Sequence, residues 1–148
     1  MMLLFGITIA TYLLSWKRRH AMNRLTSLLY GVITGDCVPR DCVTFNNHLN
    51  DIRTNVINWN DTVCAAAHSS SAVKDVVTAY FTNCNESEAF ATGHVICLCA
   101  FLCDACVLMI KNGVPLDVCD AVQHLVRHMI DRDVTVCVKY LNMLKNHK

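Results

Sequence analysis

One apolar stretch constrains the fold of this chain more than any other feature: VICLCAFLCDACVLMI, from Val95 to Ile110. Every residue in it is apolar, small or cysteine except Asp104. The run is too long for an ordinary strand and lacks the polar stripe of a surface helix, so it predicts a helix buried on all sides. At about 16 residues it is shorter than the roughly 20 that cross a bilayer, and Gly93, His94 and Asp104 reduce its apolar character. It therefore indicates the central helix of a soluble bundle.

Size and composition favour one domain built from long helices. At 148 residues the chain can bury a core without metals or disulfides. Only five glycines and two prolines interrupt it, which favours long helices over a many-stranded sheet. Hydrophobic residues make up 53% of the chain and charged residues 17%, so apolar surface should stay exposed in a groove, at a partner or at a membrane. The net charge of +1 argues against a nucleic-acid-binding protein.

The first twenty residues are an apolar extension with a basic end. The apolar run Met2 to Trp16 is followed directly by Lys17, Arg18 and Arg19. The run is short for a membrane span and lacks the charged start and cleavage site of a signal peptide. It suits a short anchor with a cytoplasmic basic flank, a first helix packed on the bundle, or an extension upstream of a start at Met22. We therefore divide the chain into this extension, residues 1–20, and one helical domain, residues 21–148.

Apolar residues at three- and four-residue spacing predict further helices around the central one. The pattern covers Ala21 to Ile33, Val43 to Trp59, Thr62 to Ala67, Ala72 to Thr82 and Asp117 to about Asn146.

Three breaks separate or interrupt these patterns. Asn83 to Glu88 is a polar loop, and Asn112 to Pro115 places a glycine at a helix end with a proline just beyond it. The second break is short, so the central helix and its successor should form a helical hairpin. Asp131 to Asp133 interrupts the last pattern, so one long helix and two shorter ones fit it equally well.

The ten cysteines bear on the cellular compartment. Cys97, Cys99, Cys103 and Cys106 crowd the central apolar helix, where reduced cysteine behaves as a small hydrophobic residue. A secreted disulfide framework is the alternative, and the glycosylation patterns at Asn60 and Asn85 would suit it. Disulfide-dense domains are usually smaller and poorer in aliphatic residues, so the sequence favours reduced thiols.

No motif in the chain predicts an enzyme or a cofactor site. His124 and His128 lie four residues apart on one helical face, but no glutamate follows the first histidine and no third metal ligand is evident. Cys103 and Cys106 form a lone CxxC inside an apolar helix, where core packing explains them better. The chain also lacks a local nucleophile signature and a glycine-rich phosphate loop. We expect a non-enzymatic protein without cofactor or metal that binds an apolar helix of another protein.

The order of these parts resembles the Bcl-2 family of apoptosis regulators, particularly the compact, divergent members carried by large DNA viruses. The likeness covers roughly Arg24 to Leu144. It is best where VVTAYF, TGHVICLCAF and ACVLMI fall at the positions of that family's fourth and fifth helices. The resemblance implies an all-α, Bcl-2-like helical bundle around a buried central helical hairpin. It also implies a groove between the second, third and fourth helices and the start of the central one.

The resemblance implies the residues of that groove as well. They are Leu49, Ile52 and Val56 on one wall, Val76 and Tyr80 on the fourth helix, and Gly93, His94, Ile96 and Phe101 on the central helix.

The chain departs from the family in its first homology signature. Ala91-Thr92-Gly93-His94 stands where the family has Asn-Trp-Gly-Arg. Gly93 keeps the small residue that lets a ligand helix approach, whereas His94 replaces the arginine that pairs with the ligand's aspartate. Leu102-Cys103 replaces the family's glycine pair, and the tryptophan-containing second signature is missing.

The resemblance implies an anti-apoptotic viral protein that sequesters the death helix of host pro-apoptotic Bcl-2 family proteins. Such a protein would act in the host cytoplasm or at the mitochondrial outer membrane. Two alternatives remain. One is a viral adaptor-type inhibitor of innate immune signalling that acts through an outer face, often as a homodimer. The other is a secreted or membrane-anchored cysteine-stapled protein.

Overall fold

All regular structure in the described part of the chain is α-helical, which confirms the predicted all-α class. The computed structural model describes residues 2–36, 40–83 and 89–146, with side chains from residue 9 onward except those of residues 40 and 41. Most of the predicted loop from Asn83 to Glu88 lies outside these residues. The helices are α1 (Met2–Thr34), α2 (Arg40–Asn55), α3 (Trp59–Ala66), α4 (Ser70–Asn83), α5 (Thr92–Lys111) and α6 (Val118–Asn146).

The apolar run forms α5, and the other helices pack around it. α5 contacts α1, α2, α3, α4 and α6. Ten of its side chains are buried, including Phe101, Leu102 and Met109. Within the described residues, α5 is the one helix long and apolar enough to cross a membrane, and 56% of its apolar window is buried inside the bundle. This burial is what a core helix requires.

The break at Gly113 joins α5 and α6 into a hairpin, as the sequence predicts. Gly113 has φ +70°. The N–H of Val114 donates to the carbonyl of Met109 at 2.9 Å, and the N–H of Gly113 donates to that of Ile110 at 3.2 Å. These two bonds form a Schellman motif, which satisfies the last carbonyls of α5.

The predicted interruption in the last pattern is a kink inside α6. Asp133 has φ −165° and ψ 96°, outside the helical region. Its Oδ1 accepts a hydrogen bond from the N–H of Val136 at 3.1 Å. Asp133 therefore acts as the N-cap of a second helical segment, and the two segments are joined without a loop.

The second and third predicted patterns divide differently from expectation. α2 ends at Asn55, and α3 begins at Trp59 rather than Thr62. Asn58 lies between them with φ +60°, a conformation that asparagine tolerates better than most residues. This left-handed residue ends one helical direction and starts another, so Trp59 opens a new helix instead of closing the old one.

The apolar extension and the first amphipathic pattern form a single helix. α1 runs without a break to Thr34 and is followed by Gly35 at φ +82°. Residues 9–17 are all exposed, and burial begins at Ala21. Leu25 and Leu29 are completely buried. Among the described side chains of α1, the buried ones therefore begin at Ala21.

Candidate functional site

The nine residues expected to line a ligand groove fall into three groups by exposure. Leu49 and Phe101 are core residues, 0% and 6% exposed. Three others are partly buried and pack against the core: Ile52, Tyr80 and Ile96. Four present open surface: Val56, Val76, Gly93 and His94. Any contact with a partner in this conformation therefore rests mainly on the last group.

The helices that carry these residues have common neighbours. α2 and α4 each pack on α5, and α3 packs on both α4 and α5. Ile57 follows Val56 in the corner between α2 and α3 and is 86% exposed. Val76 on α4 is 43% exposed. Apolar surface is thus exposed at the α2–α3 corner and on α4, and the helices that carry it pack on α5.

Gly93 lies in the first turn of α5 and faces open space. A Cβ built on it would meet no atom of the described residues within 4 Å. Its backbone is not in the left-handed region, so neither crowding nor conformation within this chain requires a glycine there. Glycine in a helix also costs roughly 1 kcal/mol relative to alanine. A need for a small residue at this position would have to come from outside the chain.

His94 folds back onto the start of its own helix. Its Nδ1 accepts a hydrogen bond from the N–H of Ala91 at 3.0 Å. Its ring stacks on Phe90, with the ring centroids 5.7 Å apart and an interplanar angle of 23°. Because Nδ1 accepts, a neutral His94 carries its proton on Nε2. The side chain therefore caps α5 and offers one donor to a partner rather than the fork of an arginine.

An aromatic cluster fixes the approach to α5 against α4 and α6. The rings of Phe81 and Phe90 lie 6.0 Å apart, and Phe81 stacks on His128 at 5.2 Å. Tyr80 meets Phe81 edge to face at 5.1 Å. The guanidinium carbon of Arg132 lies 6.0 Å from the Phe90 centroid, at the outer limit of a cation–π contact. His94, which stacks on Phe90, thus lies at the edge of an aromatic cluster that α4 and α6 hold in place.

Asp104, the one charged residue of the apolar run, connects three helices. Arg53 on α2 donates from Nη2 to its Oδ1 at 2.6 Å and from Nε to its Oδ2 at 2.9 Å. Trp59 on α3 donates from Nε1 to the same Oδ2 at 2.7 Å. Asn50 accepts from Arg53 Nη1 at 2.5 Å. Hydrogen bonding to Asp104 raises the pKa of Arg53.

This polar cluster holds the α2–α3 corner on α5. The side chain of Asp104 is 21% exposed and that of Arg53 31% exposed, and Trp59 is a core residue at 6%. Sequence analysis singles out Asp104 but assigns it no partner. The signal in the sequence for such a partner was the charged residue inside an otherwise apolar run, because a buried charge requires an opposite charge or a hydrogen-bond donor nearby.

His124 and His128 lie side by side on α6, with ring centroids 4.8 Å apart. Nε2 of His124 donates to the carbonyl of Lys74 at 3.2 Å and lies 2.9 Å from Thr78 Oγ1. Burial, with a smaller effect from His128, lowers the pKa of His124. Within the described residues, no group of three or more His, Cys, Asp or Glu side chains could hold a metal ion. The pair instead joins α4 to α6.

Most described cysteines are free thiols. Cys99, Cys103, Cys106 and Cys137 are buried, and Cys64 and Cys119 are exposed. Burial raises the pKa of Cys106 and Cys137 to about 12. It also raises the pKa of Cys99 and Cys103 far above the usual range. Cys103 and Cys106, the CxxC of α5, are therefore protonated thiols in the core. Elsewhere Cys42 is disulfide-bonded, which the prediction of wholly reduced thiols did not include.

No protein-family model matches the chain, and no curated protein or solved structure matches it at a significant level.

Proposed function

We propose that this chain is a Bcl-2-like, anti-apoptotic protein of the viral type that binds the amphipathic death helix of pro-apoptotic proteins. The ligand helix would pack against the first turn of α5 and extend along that helix toward the α2–α3 corner. The observation that carries the proposal is the open space above Gly93, to which the exposed apolar side chains of the α2–α3 corner and of α4 add.

The first support is the unexplained glycine. Gly93 weakens its own helix, and none of the residues that the structure describes fills the space above it. A ligand helix that packs closely there would need that space, because a side chain on α5 would hold the two backbones apart. This accounts for a residue that folding alone does not require.

The second support is apolar surface on helices that pack on α5. Val56 and Ile57 at the α2–α3 corner and Val76 on α4 keep 39%, 86% and 43% of their surface exposed. An amphipathic helix that lies in a groove presents apolar residues at three- and four-residue spacing to such surfaces. Asp104 holds the α2–α3 corner in place, because it binds Arg53 and Trp59.

His94 would give this site a weaker polar contact than the family's arginine. Its Nε2 can donate one hydrogen bond to a ligand carboxylate, while its Nδ1 is already occupied by Ala91. An arginine would add a second hydrogen bond and a full positive charge to that contact, which a neutral imidazole lacks. Binding would therefore depend more on apolar contacts at Val56, Ile57 and Val76.

Calorimetric titration with a panel of death-helix peptides tests the proposal. At least one peptide should bind the wild-type protein. Gly93→Trp should weaken that binding by at least about a hundredfold, because the indole occupies the ligand's position. Ile110→Trp is the matched control: it is exposed at the far end of the same helix, on a different face from Gly93, and should leave binding unchanged. If the folded protein binds no peptide, or the two variants bind equally, the proposal fails.

The contacts that His94 already makes within the chain support a second candidate function. In this one the protein is an adaptor-type inhibitor of innate immune signalling that acts through an outer face. His94 is used to cap α5 and to stack on Phe90, which leaves it one donor for a ligand. In a reporter assay of immune signalling, this candidate predicts inhibition that survives Gly93→Trp. Inhibition that is lost with this variant would favour the groove.

A further inference from the structure

From residue 9 to residue 17, α1 exposes its apolar side chains to solvent. Residues 9–17 are exposed without exception. Tyr12, Leu13, Leu14 and Trp16 retain 69%, 57%, 53% and 57% of their surface. A contiguous apolar surface of this kind indicates an interaction site.

The distribution of these residues favours a lipid phase over a protein groove. Nine consecutive exposed residues make about two and a half turns, so exposed side chains lie on every face of this part of the helix. The sequence has no charged residue from Met2 to Trp16. A groove covers one stripe of a helix, whereas a bilayer covers all its faces.

Basic side chains surround the point where this half-helix meets the bundle. Lys17 lines two clefts between α1 and α6. Lys145 also lines the first cleft, and Lys139 also lines the second. Leu13 and Trp16 line the first cleft as well, so apolar and basic surfaces are continuous. No acidic residue is among the described residues that line either cleft.

We propose that the apolar first half of α1, Met2 to Trp16, inserts into an anionic membrane. Lys17, Lys139 and Lys145 would then lie against the lipid headgroups. Trp16 lies between the apolar residues of α1 and the basic residues that follow them. Tryptophan is enriched at the membrane–water interface of membrane proteins, which is where this boundary would lie. The 15 residues from Met2 to Trp16 extend about 22 Å, less than the roughly 30 Å of hydrocarbon core. The helix therefore enters the bilayer without crossing it.

Vesicle flotation of the full chain tests this inference without reference to the groove. The wild-type protein should float with phosphatidylcholine vesicles containing about 30% phosphatidylserine and much less with phosphatidylcholine alone. Leu13→Glu with Leu14→Glu should abolish flotation. Lys17→Glu with Lys145→Glu should reduce binding to the anionic vesicles by on the order of a hundredfold.

Matched controls come from elsewhere on the surface. Ile57→Glu and Lys111→Glu change an exposed apolar and an exposed basic residue outside the two clefts, and both should float like the wild type. Brominated lipid should quench the fluorescence of the wild type, but not of Trp16→Phe, whose remaining Trp59 is buried. Circular dichroism confirms that each variant is folded.

Three outcomes would overturn the inference. The first is flotation that survives the Leu13 and Leu14 substitutions, because another surface, such as α5, would then hold the membrane. The second is equal binding to neutral and anionic vesicles, which would contradict the role of the lysines. The third is a soluble dimer that depends on Leu13 and Leu14 and does not float, because a second copy would then cover the half-helix.

Discussion

Replacing Asp104 by alanine should destabilise the protein by about 3 kcal/mol. The substitution leaves the indole N–H of Trp59 without its acceptor in a residue that is 6% exposed, and such a buried orphan costs about 1–3 kcal/mol. The guanidinium of Arg53 loses the carboxylate that binds it at two points. Because its side chain is 31% exposed, water can replace that carboxylate, and the loss costs about 1 kcal/mol. For a chain of this size, 3 kcal/mol corresponds to a decrease in Tm of roughly 6–12 °C.

The chain offers a control with the same contact distance and a different environment. Arg18 and Asp131 are also 2.6 Å apart, but their side chains are 39% and 70% exposed. Asp131→Ala should therefore cost less than about 1 kcal/mol, because exposed ion pairs contribute little. Asp104→Asn should fall between the two, since its amide oxygen can still accept from Trp59 but lacks the charge that pairs with Arg53.

Urea unfolding of these variants, followed by circular dichroism, measures the differences. The slope of each unfolding curve should match that of the wild type, so that the midpoints report stability alone. A double-mutant cycle with Arg53→Met should give a coupling energy of about 1–3 kcal/mol. If Asp104→Ala costs no more than Asp131→Ala, or if the coupling is zero, the Asp104 cluster does not hold the α2–α3 corner as described.

Three further predictions concern single groups. Gly93→Ala should stabilise the protein by about 0.5–1 kcal/mol in urea unfolding, because nothing crowds the added Cβ. Because burial lowers the pKa of His124 from its ordinary value of 6.5, its contribution to stability should be present above that pH and be lost as pH falls through the folded-state pKa. His124→Gln should lose less stability between pH 7.5 and about pH 5.5, since it keeps a donor and cannot be protonated. Iodoacetamide should label Cys64 and Cys119 rapidly in the native protein and reach Cys103 only after unfolding.

Each of these predictions has a result that contradicts it. Destabilisation by Gly93→Ala would show that the space above Gly93 is not open. An unchanged pH dependence in His124→Gln would assign the acid sensitivity to other histidines. Native labelling of Cys103 as fast as that of Cys64 would show that the centre of α5 is accessible to water.

The groove residues show what a one-dimensional pattern leaves undecided. Leu49, Ile52 and Val56 follow one another at helical spacing, yet they are buried, partly buried and exposed in turn. Periodicity identifies the apolar face of a helix, but the depth of each residue depends on where neighbouring helices end. Here the left-handed Asn58 ends the α2 direction and leaves Val56 and Ile57 uncovered. Gly93 and His94 could be singled out from sequence only through the family resemblance.

Local chemistry in the sequence determined the helical class, the central position of α5 and the break at Gly113. Long apolar runs require burial, and glycine followed by proline ends a helix regardless of its surroundings. Only the tertiary structure decided the partners of Asp104, the pairing of His124 with α4 and the exposure of residues 9–17 of α1. These features join residues 45 to 51 positions apart, as in Asp104 with Trp59 and Arg53, or depend on which helices pack together. Helical spacing carries no information about either.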